Sequence, residues 1–189
     1  YKNKKAVEPL VVVPKGEMIS GIVDDVTRKD TTKPCCRSYK LLELAPDGTI
    51  VRLWISNALD ITNNMLWHPA HLHEDILRHV GHIPPVSLIG GEEDELVREI
   101  FEPSWDVYNM WQADCLEYLI RNGGYDTVFS HLHNVDCAGH QLWHLGKKLE
   151  PWKHIDEKIY QGFIEKFYEQ TDRYLGRFLP YLDEGWTIF

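Results

Sequence analysis

The residues best suited to chemistry lie in one short stretch, His131-Leu-His-Asn-Val-Asp-Cys-Ala-Gly-His140. Asp136 and His140 stand four positions apart, and a small turn containing Gly139 can bring both side chains to one point. A carboxylate oxygen and an imidazole nitrogen are both ligands that zinc accepts. We therefore predict that Asp136 and His140 bind a divalent metal ion, with further ligands supplied from elsewhere.

Three nearby residues are candidates for supporting roles around that metal ion. His133 and Asn134 directly precede the predicted ligands, where they can orient a ligand or line a substrate pocket. Trp143 can form a pocket wall for an apolar group of the substrate. The simpler alternative is that the strand histidines are packed and hydrogen-bonded, and that the tryptophan belongs to the core.

The elements around this stretch predict an α/β core. We expect a helix over residues 104–121, a buried strand over 125–133, a long helix over about 154–179, and another strand from residue 186. Alternating helices and strands indicate a parallel sheet covered by helices. Ligands of such sheets bind beyond the carboxyl ends of the strands, which is where Asp136 falls.

The first half of the chain predicts a different architecture. Two β-rich runs around Pro46-Asp-Gly48 indicate an antiparallel hairpin over residues 37–56. The apolar run at residues 10–13 predicts a short strand, and residues 69–80 predict a helix. We therefore divide the chain into a cap or insertion, residues 1–103, and a partial α/β core, residues 104–189.

Composition narrows the classes of partner. The 189 residues carry a net charge of −9, which argues against binding a nucleic-acid polymer through a basic surface. A small anionic substrate stays possible, because a bound divalent cation reverses the local field. The sequence contains no apolar run long enough to span a membrane. The four cysteines indicate free thiols, and the compartment stays unassigned.

Two further clusters have ordinary interpretations that we favour. Histidines are dense around the predicted helix at 69–80, where they suggest a solvated helix face; a metal bridging a pair is the alternative. The acidic run Glu92-Glu-Asp-Glu95 predicts the start of a helix, with calcium binding as the alternative.

One family shares the pattern of the second half. The pattern begins with the segment Tyr125-Asp-Thr-Val-Phe-Ser-His-Leu-His-Asn-Val-Asp-Cys-Ala-Gly-His140. A predicted long helix follows and ends in Asp172-Arg-Tyr-Leu-Gly-Arg-Phe-Leu179. The last part is Gly185-Trp-Thr-Ile-Phe189. This arrangement resembles the type I phosphodiesterase and nucleotide pyrophosphatase family of the alkaline phosphatase superfamily, over about residues 104–189. The resemblance rests on an Asp-x-x-Gly-His segment, here Asp136 to His140.

The resemblance implies an alkaline-phosphatase-like parallel-sheet core, two divalent metal ions, zinc in the family, and Asp136 and His140 as ligands of one of them. It also implies a small phosphate ester or nucleotide as substrate. The family's nucleophile and its other ligands have no counterpart here, so we expect the chain to be part of a longer protein and to have negligible hydrolytic activity alone. Alternatives are a phosphonate hydrolase, phosphomonoesterase or phosphomutase-like enzyme of the superfamily, or a non-catalytic domain of that fold.

Overall fold

The chain forms two compact units in the computed structural model, which describes residues 8–87, 94–142 and 157–189. The first unit is Tyr1–Ser87 and the second is Leu88–Phe189. The division predicted between residues 103 and 104 falls inside helical structure that continues from Asp94 to Asn122. The described residues combine a four-stranded antiparallel sheet with α-helices, so the class is mixed α/β.

The first unit is built on an antiparallel sheet of four strands. These are β1 (Met18–Arg28), β2 (Thr31–Leu44), β3 (Val51–Ile55) and β4 (Leu59–Asp60). The long strand β2 pairs with each of the other three. Pairing of β2 with β3 confirms the predicted hairpin, since register places Tyr39 opposite Ile55.

The hairpin turn follows from its residues. The side chain of Asp47 accepts hydrogen bonds from the Thr49 amide at 3.1 Å and the Thr49 hydroxyl at 2.7 Å. Gly48 adopts a φ of 72°, a left-handed conformation that glycine enters without a steric penalty. The turn is therefore fixed by local side-chain chemistry rather than by the core.

Two sequence predictions for the start of the chain were incomplete or wrong. The apolar run at residues 10–13 is not a strand, and Val12 is 72% exposed, because Pro14 and Gly16 follow at once and interrupt regular pairing. Strand β1 was not predicted, because two aspartates, Asp24 and Asp25, interrupt its β-branched pattern. Pairing with β2 outweighs that local preference.

The first unit also contains the predicted helix, observed as α1 (His71–His79). Ile76 is buried in the core, and the chain leaves the helix through Gly81 at a φ of 114°. His82 follows with a half-buried ring, and this burial lowers the pKa of His82. Its Nδ1 is buried without a hydrogen-bond partner among the described residues.

The second unit is helical in its described part. Helix α2 (Asp94–Leu96) continues through one π-helical turn (Val97–Phe101) into α3 (Glu102–Asn122). After an irregular segment come α4 (Asn134–Leu142) and α5 (Glu157–Gly176), and a 3₁₀ turn (Leu179–Leu182) ends the helical part. Both α3 and α4 pack against α5.

These helices confirm two predictions and refine their ends. The helix predicted over 104–121 is α3, and Ser104 lies inside it, where its hydroxyl donates to the Phe101 carbonyl at 2.9 Å instead of capping the helix. The helix predicted over about 154–179 is α5 within the described part. Pro180 falls in the 3₁₀ turn, as expected for a residue that cannot continue an α-helix.

The two strands predicted in the second half are not formed. Residues 125–133 and 186–189 are irregular, and the described residues contain no parallel sheet. Leu132 and Trp186 both pack against the helical core formed by Ala113, Tyr174, Phe178 and Tyr181. On the outer side Phe129 is 88% exposed. Leu132 and Trp186 thus have packing partners, but no strand among the described residues pairs with their segments, and backbone pairing is what defines a strand.

The described helices give no indication of a membrane span: none of them combines the necessary length and hydrophobicity.

Candidate metal-binding site

Helix α4 presents two opposite faces, and the sequence explains both. Asn134, Ala138 and Leu142 recur every four residues and are buried, with α4 packed on α5. Residues 133, 136, 137 and 140 recur with a spacing of three or four and therefore share the other face. The helix thus carries potential metal ligands on the side that is turned away from the core.

The buried face is fixed by a polar anchor. Asn134 is 1% exposed, and its amide donates to the Phe167 carbonyl at 3.1 Å and to the Thr171 hydroxyl at 3.2 Å. The fully buried Gln170 accepts from Asn109 at 3.2 Å and donates to the Glu102 carbonyl at 2.9 Å. Hydrogen bonds from buried amides are directional, so they set where α4 begins on α5.

The outer face brings two histidines to one carboxylate, and a third histidine contacts one of these two. The two oxygens of Asp136 contact different imidazoles: Oδ2 lies 3.1 Å from His133 Nε2, and Oδ1 lies 3.5 Å from His140 Nε2. The other ring nitrogen of His133, Nδ1, lies 2.8 Å from Nε2 of His131. The His131, His133, Asp136 and His140 side chains therefore form one continuous chain of contacts, exposed to solvent.

Cys137 adds a sulfur to this face. Potential ligand atoms of His133, Asp136 and Cys137 all lie within 4.8 Å of one another. Burial is the main cause that raises the pKa of the Cys137 thiol, and the Asp136 charge adds to it. Imidazole nitrogen, carboxylate oxygen and thiolate sulfur are all donors that zinc takes. The donor set therefore fits a zinc-class ion in its chemistry.

The structure brings some of the predicted site residues together and places others elsewhere. Asp136 and His140 do lie together, but on successive turns of a helix and not in a turn after a strand. His133 contacts Asp136 directly. Asn134 points into the core, where it anchors the helix and lines no pocket of the exposed face. Trp143 lies outside the described residues.

Sequence reasoning missed Cys137 as a candidate, although the signal was present. In the pattern His133-x-x-Asp-Cys-x-x-His140, the four polar or sulfur side chains share one helix face. Reading residues 125–133 as a strand ending in a turn hid this periodicity. The histidines around α1 form no group of three potential ligands among the described residues, and their interpretation as a solvated helix face stays a prediction.

No protein-family model, curated protein or solved structure was found to match the chain. The resemblance of its second half to the phosphodiesterase family thus stays a prediction from the motif.

Proposed function

We propose that this chain supplies metal ligands to a hydrolase of phosphodiester or pyrophosphate bonds, with Asp136 and His140 as two of those ligands. One observation carries the proposal: the Asp136 carboxylate holds an imidazole nitrogen against each of its oxygens, which collects nitrogen and oxygen donors on one helix face. The Asp-x-x-Gly-His segment supplies the reaction class, through its resemblance to the type I phosphodiesterases.

An anionic substrate requires a local positive charge in this acidic chain. Phosphate esters are anions, and a protein of net charge −9 repels them on average. A divalent ion held at Asp136 would attract the phosphoryl group and stabilise the negative charge that develops on its oxygens. Asp136 offsets part of the charge of the ion, and the neutral form of His140 adds a donor without adding charge.

Each residue of the exposed face has a distinct task in this proposal. Asp136 and His140 hold the ion, and His131 fixes the ring of His133 through the 2.8 Å contact between their nitrogens. Asn134 sets the start of the helix from its buried side. Two ligands leave a catalytic zinc incomplete, because such sites take three, so the proposal includes ligands and a nucleophile from other parts of a longer protein.

The finer fold belongs to the same proposal. We assign the segments 125–133 and 186–189 to the sheet of an alkaline-phosphatase-like core in the longer protein. Support comes from Leu132 and Trp186, one in each segment, which pack against the same helical cluster. Hydrogen exchange in the longer protein would show slow backbone amides in both segments, whereas fast exchange there would contradict the assignment.

The functional test uses the longer protein loaded with zinc. Hydrolysis of bis(p-nitrophenyl) phosphate and of a dinucleotide pyrophosphate is measured for the unmodified protein and for Asp136→Asn. We expect Asp136→Asn to lower kcat/KM by about a hundredfold or more, because even residues that only orient ligands contribute tenfold to a hundredfold. Asp183→Asn, at an exposed aspartate on another element, is the matched control and keeps full activity.

Two results would overturn the proposed function. Hydrolysis that is unchanged in Asp136→Asn would remove this face from the reaction. A zinc-loaded longer protein without hydrolysis of either substrate would instead indicate a binding module. A simpler check is the coding sequence after Phe189, where the family resemblance predicts an Asp-His-Gly segment.

A further inference from the structure

The ligand set of the exposed face extends beyond the pair named above. Cys137 projects from the same side of α4 as His133 and Asp136, and the potential ligand atoms of these three residues lie within 4.8 Å of one another. We propose that His133, Asp136 and Cys137 hold one zinc-class ion through imidazole, carboxylate and thiolate donors. This inference rests on the proposed function only in assuming that this face binds a divalent ion.

The geometry separates this set from the His140 contact. His133 Nε2 lies beside Oδ2 of Asp136, while His140 Nε2 lies beside Oδ1. The two histidines therefore contact different oxygens of the same carboxylate, and the close group of three includes His133 and Cys137. Substitution of Cys137 tests the proposed sulfur ligand without changing either histidine, so the assignments of Cys137 and His140 can be examined independently.

The helix itself explains why the three donors meet. His133 is the residue before α4, and its carbonyl accepts the Cys137 amide at 3.0 Å, which closes the first turn. That turn brings positions three and four apart onto one face. The opposite face is anchored on α5 through Asn134, so the donors stand on a fixed element.

The ring of His133 is also oriented for this role. Its Nδ1 is engaged by His131 Nε2 at 2.8 Å, which leaves Nε2 directed towards Asp136. Histidine ligands of metals commonly have their second ring nitrogen held by a neighbouring group, which fixes the tautomer and the ring plane. His131 is therefore a positioning residue in this proposal, and it is not a ligand.

The donor types decide which ions are accepted. Magnesium and calcium select oxygen donors, whereas thiolate and imidazole select zinc, cobalt and related ions. When the sulfur binds the ion, the S–H bond breaks and its proton passes to solvent; no oxidation is involved. We therefore expect the site to bind zinc more tightly than magnesium. The ratio of the two affinities should exceed the ratio for a site made of one carboxylate and one imidazole.

The test is titration of the purified, reduced chain with Co²⁺, which reports its ligands by absorption. We expect one ion per chain, with a near-ultraviolet band from thiolate-to-cobalt charge transfer, displacement by Zn²⁺, and no displacement by excess Mg²⁺. Cys137→Ser removes the band and lowers the Co²⁺ affinity by about tenfold or more. Cys115→Ser is the matched control and keeps the band, because this cysteine lies on α3.

A second variant separates ligation from structure. Cys137→Asp retains an anionic donor, so we expect this variant to bind Co²⁺ again but without the near-ultraviolet band. If the thiol has a purely structural role, the variant loses Co²⁺ binding, the band and helix content together. Circular dichroism of each variant measures that helix content.

The possible failures are distinguishable. Co²⁺ bound by the chain without the near-ultraviolet band would refute thiolate ligation while leaving the proposed function standing. A band that persists in Cys137→Ser would assign the thiolate to another cysteine and also refute this inference. Absence of any Co²⁺ or Zn²⁺ binding in calorimetry would overturn the metal site of the chain as such.

Discussion

The anchor of helix α4 gives the sharpest prediction about stability. We consider Asn134→Asp, which keeps the shape of the side chain but replaces its amide nitrogen by an oxygen. The amide nitrogen of Asn134 donates to the Phe167 carbonyl at 3.1 Å and to the Thr171 hydroxyl at 3.2 Å, and the residue is 1% exposed. The substitution turns the contact with the Phe167 carbonyl from attraction into repulsion between two acceptors.

The magnitude follows from two contributions. The Phe167 carbonyl loses a donor in a buried place, which costs about 1–3 kcal/mol. The new carboxyl group also loses hydration, which raises its pKa above the unfolded value; every unit of that rise costs about 1.4 kcal/mol at neutral pH. We therefore expect Asn134→Asp to lower the free energy of unfolding by roughly 3–5 kcal/mol near pH 7.

The pH dependence has a defined sign. Because the folded-state pKa of the new carboxyl group lies above its unfolded value, the folded protein binds more protons between the two values, and stability falls as pH rises through that window. Lowering the pH from about 7 to about 4 should recover much of the loss, since a protonated carboxyl group can donate to the Phe167 carbonyl again.

The assay is urea unfolding followed by the circular dichroism of the helices, which lie mainly in the second unit. Asn122→Asp is the matched control: Asn122 is exposed at the end of α3, and its amide donates to the Tyr118 carbonyl at 3.0 Å. We expect that control to change stability by less than about 1 kcal/mol. If Asn134→Asp costs no more than the control, or its cost does not vary with pH, the anchor does not hold α4.

Three further predictions concern other parts of the chain. Phe129→Ser should change the free energy of unfolding by less than about 0.5 kcal/mol, whereas Phe167→Ala should cost about 3–5 kcal/mol, because Phe129 is 88% exposed and Phe167 is fully buried; a large cost at Phe129 would mean that its segment packs in a sheet. Acid should destabilise the first unit, because burial lowers the pKa of His82. As pH falls through the ordinary pKa of 6.5, the unfolded chain therefore takes up the proton before the folded chain does. His82→Gln should weaken this pH dependence, measured by urea unfolding. Burial raises the pKa of Cys115 from 9.0 to about 12, so iodoacetamide should label it at about pH 8 roughly a thousandfold more slowly in the folded than in the denatured chain, and comparable labelling rates in mass spectrometry would contradict the burial.

Local patterns predicted those elements whose residues decide their own conformation. The hairpin follows from the bonds between Asp47 and Thr49 and from Gly48, all within a few residues. Helix α3 follows from an uninterrupted run with few breakers, closed by Gly123. In these cases local preference and the final fold agree, and such agreement makes the prediction secure.

The remaining elements depend on partners that local patterns do not reveal. Strand β1 exists because β2 pairs along it, although Asp24 and Asp25 weaken its own preference. In residues 125–133 the local preference and the pairing differ in the opposite way. Their β-branched and aromatic side chains favour a strand, but no described strand pairs with them. A strand is a property of a pair of segments, so propensity alone misjudged both cases.

The candidate site shows how one such error changes a chemical argument. A strand over residues 125–133 followed by a turn identifies Asp136 and His140 as ligands and gives no reason to include Cys137. A helix over the same residues places Cys137 beside Asp136, and joins His133 to them one turn earlier. The sequence pattern thus located the same candidate ligands, Asp136 and His140, on either interpretation, while the secondary structure decides whether Cys137 joins the candidates. Sulfur in the set would strengthen the preference for zinc over magnesium and calcium, because thiolate donors select zinc-class ions. The absorption spectrum of the Co²⁺ complex consequently tests the conformation of residues 134–142 as well as the chemistry of the site.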